Sequence, residues 1–164
     1  MKKVLLVTLA LILLLSGCES DGNTNGESNA AALESVSPQT IAESIFESIE
    51  IPASVQKTKE ELPDFIGGLD ISNIHQIAYF ICASGASPDE LLIIKFNHAD
   101  DAANAKSHVQ TRLDSRKKDF QDYRPDEMVK FNGALVQINA NWLFFYITED
   151  NAKVKEIISS YING

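Results

Sequence analysis

Apolar positions recur at two spacings along this chain. Ile41, Ala42, Ile45, Phe46 and Ile49 return every three or four residues, which predicts an amphipathic helix opening at Ser37, an N-cap residue, with Pro38 in the first turn where its missing N–H costs nothing. The residue before a proline is pushed out of the helical region, so Ile51-Pro52 ends this helix. A short helical turn around Lys59 to Leu62 is expected before Pro63 and the Gly67-Gly68 break. Ile74 to Ala83 and Glu90 to Phe96 read as strands, joined as a hairpin by the turn residues Ser84-Gly85-Ala86-Ser87-Pro88-Asp89. Asn97 to Tyr123 is a long helical segment with Ala102, Ala105, Val109, Leu113 and Phe120 along one side, Asp100 and Asp101 at its positive end, and Pro125 as its stop. Val129 to Asn139 and Trp142 to Ile147 are β-rich again around an Asn139-Ala140-Asn141 turn. Glu149 to Ile162 then carries Val154, Ile157, Ile158 and Tyr161 at helical spacing.

The order is therefore ββα twice, and the passages Lys95 to Asp100 and Tyr146 to Asn151 punctuate the two units alike, suggesting an internal repeat. The expected fold is α+β: a four-stranded antiparallel sheet from two ββα units, helices mainly on one face, and the N-terminal helix at an edge or on the opposite face. Strand alternation puts Trp142, Phe144 and Tyr146 on one face and Leu143, Phe145 and Ile147 on the other. If the ββα helices cover only one face, the other is closed by the Ile41, Ile45 and Ile49 helix or stays partly open. Trp and Tyr combine large contact area with a polar edge, so Trp142 and Tyr146 are expected to be partly exposed as an interaction surface.

The first eighteen residues, MKKVLLVTLALILLLSGC, follow a different logic. Lys2 and Lys3 precede an apolar run from Val4 to Leu15, and Leu15-Ser16-Gly17-Cys18 closes it with small residues before a cysteine. A run of about a dozen residues falls short of the roughly 20 that a membrane-spanning helix needs. The segment resembles a bacterial lipoprotein signal, in which residues 1–17 are removed and Cys18 takes a diacylglyceryl thioether and further acyl chains such as palmitate. Each buried methylene contributes about 0.8 kcal/mol to membrane affinity, so two chains anchor the protein stably. Glu19 stands where an aspartate would resemble an inner-membrane retention signal, which leaves a Gram-positive cell membrane or an outer membrane open. Residues 18–37 form the lipidated cysteine and a tether poor in large apolar residues, spanning about 25 Å if flexible. Residues 38–164 form a single domain.

Charge narrows the partners. The chain carries 14 Lys+Arg against 23 Asp+Glu, and loss of Lys2 and Lys3 with the signal leaves 12 against 23, a formal −11. Such an acidic surface disfavours nucleic acid and direct adsorption to anionic lipid. With Cys18 committed to lipid, Cys82 has no intramolecular partner and no disulfide is expected.

Several of these residues also carry a family resemblance. From Leu62 to Ile158, through Gly85-Ala86-Ser87-Pro88-Asp89-Glu90 running into Lys95, then Arg112, Phe120, Tyr123 and Pro125, then the aromatic strand and Asp150, the chain resembles the bacterial lipoproteins of the domain of unknown function 4358 family. The resemblance implies a secreted, lipid-anchored domain of Gram-positive, clostridia-like bacteria, and brings with it no activity, cofactor or catalytic residue.

Direct chemistry is sparse. There is no HExxH, GxSxG, Gly-rich phosphate loop or CxxC. His75, His98 and His108 are not spaced as metal ligands, and a helix start accounts for His98 beside Asp100 and Asp101. Cys82 reads as a small buried hydrophobe within a strand, against the alternative of a nucleophile. Glu60-Glu61 and Asp126-Glu127 read as capping or solvated acids. Arg112, Arg116, Lys117 and Lys118, with Arg124 nearby, form the one concentrated basic run; it is either a solvated helix face or a surface for an anionic partner. No catalytic residue, metal or cofactor is assigned. The expected function is a non-catalytic envelope module that binds a protein or cell-wall component. The alternatives are an accessory substrate-binding lipoprotein of a transporter, or an enzyme with an unrecognised site.

Overall fold

Ser37 caps the first helix as its hydroxyl chemistry dictates, its Oγ accepting the Thr40 N–H at 3.1 Å while Pro38 fills the first turn. The computed structural model describes Leu33 and residues 35–163, so the expected signal, Cys18 and most of the tether lie outside the described residues. In chain order come α1 (Pro38–Ser48), β1 (Ser54–Lys57), α2 (Leu62–Phe65), β2 (Ile74–Cys82), β3 (Glu90–Phe96) and α3 (Ala99–Tyr123). A 3-10 helix (Pro125–Phe131), β4 (Leu135–Asn139), β5 (Trp142–Ile147) and α4 (Asn151–Asn163) follow.

The strands form one sheet in the order β1-β2-β3-β5-β4, every neighbouring pair antiparallel. It has five strands, not the four expected. The additional strand, β1, reads Ser-Val-Gln-Lys and sits at an edge with Val55 outside the core, so it carries no apolar alternation to betray it. The β-rich run expected from Val129 also divides differently. Met128 and Phe131, three residues apart, pack on the core as 3-10 geometry allows, while Val129 points outward at 63 % exposed. Gly133, at φ 76°, then turns the chain into β4.

Both faces of the central strands are apolar, and each is covered. Leu92, Ile94, Phe96, Leu143, Phe145 and Ile147 meet Ala102, Ala105, Val109, Leu113 and Phe120 of α3. On the reverse, Leu91, Ile93, Trp142, Phe144 and Tyr146 meet Ile41 and Ile45 of α1 and Val154 and Ile158 of α4. The two ββα helices thus lie on opposite faces, which corrects the expectation of a shared one. The cause is topological. Since β3 and β5 are antiparallel, α3 and α4 leave the sheet at opposite ends; α3 crosses β5 to reach the parallel β4, and α4, with no further strand to reach, takes the uncovered face. There it joins α1 through a 2.7 Å hydrogen bond between Ser44 and Tyr161 hydroxyls. Leu33, 2 % exposed, and Val36 pack on this same face, so the packed chain begins before Ser37, within the segment expected to be tether.

Asn151 locks α4 to the 3-10 segment. Its Oδ1 accepts the Thr148 N–H at 2.8 Å and the Thr148 hydroxyl at 3.1 Å, and its Nδ2 donates to the Lys130 and Asn132 carbonyls at 2.7 and 2.8 Å. Every polar atom of this buried amide is used.

Candidate functional site

The connection from β2 to β3 brings together the buried acids Asp89 and Glu90. Gly85, at φ 68°, lets the chain reverse after Cys82, and Ser84 Oγ accepts the Ala86 N–H at 3.2 Å. Glu90 opens β3 on the α3 face with its side chain 0 % exposed. An isolated carboxylate there would be prohibitively costly. Residues four apart on a helix share a face, so Arg112 and Arg116 both reach it: Arg112 Nε and Nη2 each donate at 3.1 Å, and Arg116 Nε lies 3.4 Å from Oε2. Tyr79 donates its hydroxyl at 2.7 Å. The guanidiniums lie over aromatic rings, Arg112 at 5.7 Å from the Phe65 centroid and Arg116 at 4.6 Å from that of Phe120.

These contacts set the ionisation of the cluster. Burial, and then the Glu90 charge, push the Tyr79 phenol far above its ordinary range, so it stays a donor. Burial pulls the Arg112 guanidinium down, but Glu90 outweighs it and the net shift is upward; for Arg116 burial wins and the shift is downward.

A second group of charges adjoins the first. Asp89 Oδ2 accepts from Lys130 Nζ at 2.7 Å and from the Ser87 hydroxyl, and Lys130 also lies 2.8 Å from Ser87 Oγ and 3.0 Å from Glu127. Arg124 forms a fork with Asp126 at 3.0 and 2.7 Å, bonds Glu127 at 3.2 Å and donates to the Ala86 carbonyl at 3.3 Å. A serine hydroxyl beside a lysine amine suggests a nucleophile and its base. Burial lowers the lysine's proton affinity, but hydrogen bonds to Asp89 and Glu127 raise it further, leaving Lys130 an ammonium that cannot accept the serine proton. The Ser87 hydroxyl is itself committed to carboxylates. This arrangement braces the sheet end rather than activating an attacking group.

Cys82 closes β2 and is buried, at its end rather than within it. Burial pushes its thiol up, but hydrogen bonds from the Ser84 side chain and from the Ser84, Ser87 and Gly85 N–H groups outweigh that and hold it below the ordinary thiol value.

On the α1 side of the same sheet end lies an open groove. Phe46, Ile49, Ile51, Pro52 and Phe80 line depressions of about 310 and 530 Å³, and Glu50, Glu149 and Asp150 stand at the rim. A pit of about 10 Å³ beneath Phe46 and Ile51 is lined by Asp89 and Thr148. A separate polar cleft of about 100 Å³ lies between Gly68, Asp70 and Asn73 and the first turns of α3, where Asn73 Nδ2 donates to Asp101 Oδ1 at 3.0 Å. Among the described residues no three His, Cys, Asp or Glu side chains are grouped to hold a metal ion.

The expected site residues scatter. Trp142 and Tyr146 are 1 % and 0 % exposed, so neither offers the open aromatic surface anticipated; β5 is hydrogen-bonded on both sides and roofed by α1 and α4. Arg112, Arg116 and Arg124 turn inward to carboxylates and carbonyls, while Lys117 and Lys118 are exposed, so the basic run is not one surface. None of Tyr79, Asp89, Glu90 and Lys130 is a site residue in the sequence reading, where Asp89 and Glu90 enter only through the turn, the strand start and the family resemblance. Their one signal was an acid heading the wholly apolar run Leu91 to Ile94, which demands cations from elsewhere in the fold.

Residues 47–148 match the model of a domain of unknown function, DUF4358. The chain belongs to that family. The DUF4358 match starts earlier and ends earlier than the resemblance from Leu62 to Ile158: it takes in β1 and the whole charged network, and stops at Thr148, before α4. No curated protein and no solved structure matches the chain.

Proposed function

We propose that this DUF4358 protein is a lipid-anchored, extracytoplasmic binding module that performs no chemistry of its own. The observation carrying the binding role is the partition of its polar groups. The buried acids and cations between β3, α3 and the 3-10 helix pair with one another, with Lys130 held protonated, whereas the groove beside Phe46 is open and its rim acids Glu50 and Glu149 pair with no cation among the described residues. Spent charges support structure; unspent ones support recognition. The anchoring rests on the run MKKVLLVTLALILLLSGC, whose cysteine supplies the sulfur for a diacylglyceryl group on the outer face of a Gram-positive cell membrane. No helix among the described residues is long and apolar enough to cross a membrane; on this reading the lipid on Cys18 is the attachment.

Two measurements test this reading. In detergent phase separation of expressing cells, the natural chain enters the detergent phase and Cys18→Ala leaves it; equal partition of both removes the lipid anchor. Cross-linking on intact membranes recovers a discrete envelope protein or wall component, and recovery of none removes the binding role.

A further inference from the structure

The groove at the sheet end has a chemistry specific enough to name its ligand class. Its walls are apolar: Phe46 and Ile49 from α1, Ile51 and Pro52 from the following turn, and Phe80 from β2, with Phe46 and Phe80 packed edge to face at 4.7 Å. Its rim is acidic, with Glu50, Glu149 and Asp150 exposed and no lysine or arginine among the residues that line it. Glu50 and Glu149 pair with no cation among the described residues.

The floor supplies an independent sign. Asp89 is 2 % exposed and lines the pit beneath Phe46 and Ile51. Its Oδ2 is occupied by Lys130 and Ser87, but its Oδ1 is buried and no protein donor reaches it. A carboxylate oxygen buried without a donor is costly, so an N–H or O–H group reaching Asp89 Oδ1 from outside the fold would be favoured. At about 10 Å³ it has room for a single such group. An apolar cleft, an acidic mouth and an acceptor at the bottom match an ammonium carried on an aliphatic stem and flanked by apolar groups.

Resting on the binding reading above, we propose that this groove docks a lysine-bearing polypeptide segment of a partner protein, the side chain entering between the Phe46–Phe80 pair and Ile51, its ammonium directed to Asp89, and apolar neighbours lying on Ile49 and Pro52. The chain's own residues 19–27 are excluded as occupant by charge, since Glu19, Asp21 and Glu27 would meet Glu50 and Glu149.

The test uses the full chain in detergent micelles and three blocked tripeptides, Phe-Lys-Phe and the same peptide with norleucine or glutamate in place of lysine, titrated by NMR at low and high salt. The lysine peptide binds, weakens as salt rises, and perturbs residues around Phe46 and Phe80, while the norleucine and glutamate peptides bind at least about tenfold more weakly. The double change Glu50→Gln and Glu149→Gln, confined to exposed side chains, lowers lysine-peptide affinity about tenfold and removes most of its salt dependence. Asp89→Asn lowers it as well, and the rim variant carries the test should Asp89→Asn fail to fold. Absence of lysine-peptide binding, equal binding of the norleucine peptide, or indifference to the rim variant overturns the proposal. Cross-linked partners recovered equally by the natural chain and the rim variant overturn this groove while leaving the binding role standing.

Discussion

Tyr146 is a tyrosine held where a phenylalanine would do. Its side chain is 0 % exposed, its hydroxyl is buried without a hydrogen-bond partner, and burial pushes its ionisation from 10.0 up to about 12. The sign of the pH effect follows. An unfolded chain releases this proton from about pH 10 while the folded one keeps it to about 12, so the stabilising contribution is complete below 10 and is lost as pH rises through 12. Tyr146→Phe should therefore leave stability near neutral pH unchanged or raise it by up to about 1 kcal/mol, and should flatten the alkaline loss. Urea unfolding followed by circular dichroism, near neutrality and in that alkaline window, checks both; a loss of about 2 kcal/mol near neutrality would mean that the hydroxyl has a partner. Tyr79 is the contrast, since its hydroxyl donates to Glu90 and is used. From sequence both tyrosines look alike, β-strand aromatics with a polar tip. What separates them is the presence of one acid eleven residues on.

At the scale of elements, the clearest strands were the legible ones: β3 and β5 run Glu90–Phe96 and Trp142–Ile147, around the apolar runs Leu91 to Ile94 and Trp142 to Ile147 that predict them. Elements that lack a hydrophobic period were missed or misread, β1 because it is a polar edge and Val129 to Phe131 because a β-branched residue two positions before a phenylalanine mimics strand alternation. The attachment of α3 was not legible either. It depends on Arg112 meeting Glu90 across twenty-two residues of chain, a pairing that only the folded sheet creates. Glu90→Gln keeps the shape but leaves two partly buried guanidiniums facing a neutral amide, and should destabilise by about 3 kcal/mol in urea unfolding. Replacing Glu90, Arg112 and Arg116 together with Met removes the charges as a set and should recover most of that loss, because the network's attraction is offset by the cost of burying it. A Glu90→Gln chain as stable as the natural one would mean that water already screens the cluster.

The molecule as a whole is a sheet roofed on both sides, and this decides where a partner can dock. The periodicity correctly divided Trp142, Phe144 and Tyr146 from Leu143, Phe145 and Ile147, but it could not tell which helix would take which face. That choice follows from strand order, with β5 inserted between β3 and β4, and order leaves no mark on local composition. The groove was illegible for a related reason: Phe46, Phe80, Asp89 and Glu149 come from four separate stretches of chain. With both faces closed, Trp142 becomes a reporter of the roof made by α1 and α4. It is 1 % exposed, stacked on Phe144 with centroids 5.9 Å apart, and has the Lys95 ammonium 5.2 Å from its ring centre. As the only tryptophan in the chain, it should give blue-shifted emission resistant to acrylamide, unchanged when the groove-directed lysine peptide is added, because that peptide occupies the opposite end of this face, beside Phe46. Red-shifted, readily quenched emission from the folded chain would mean that the roof opens in solution, and would return the aromatic face to consideration as a binding surface.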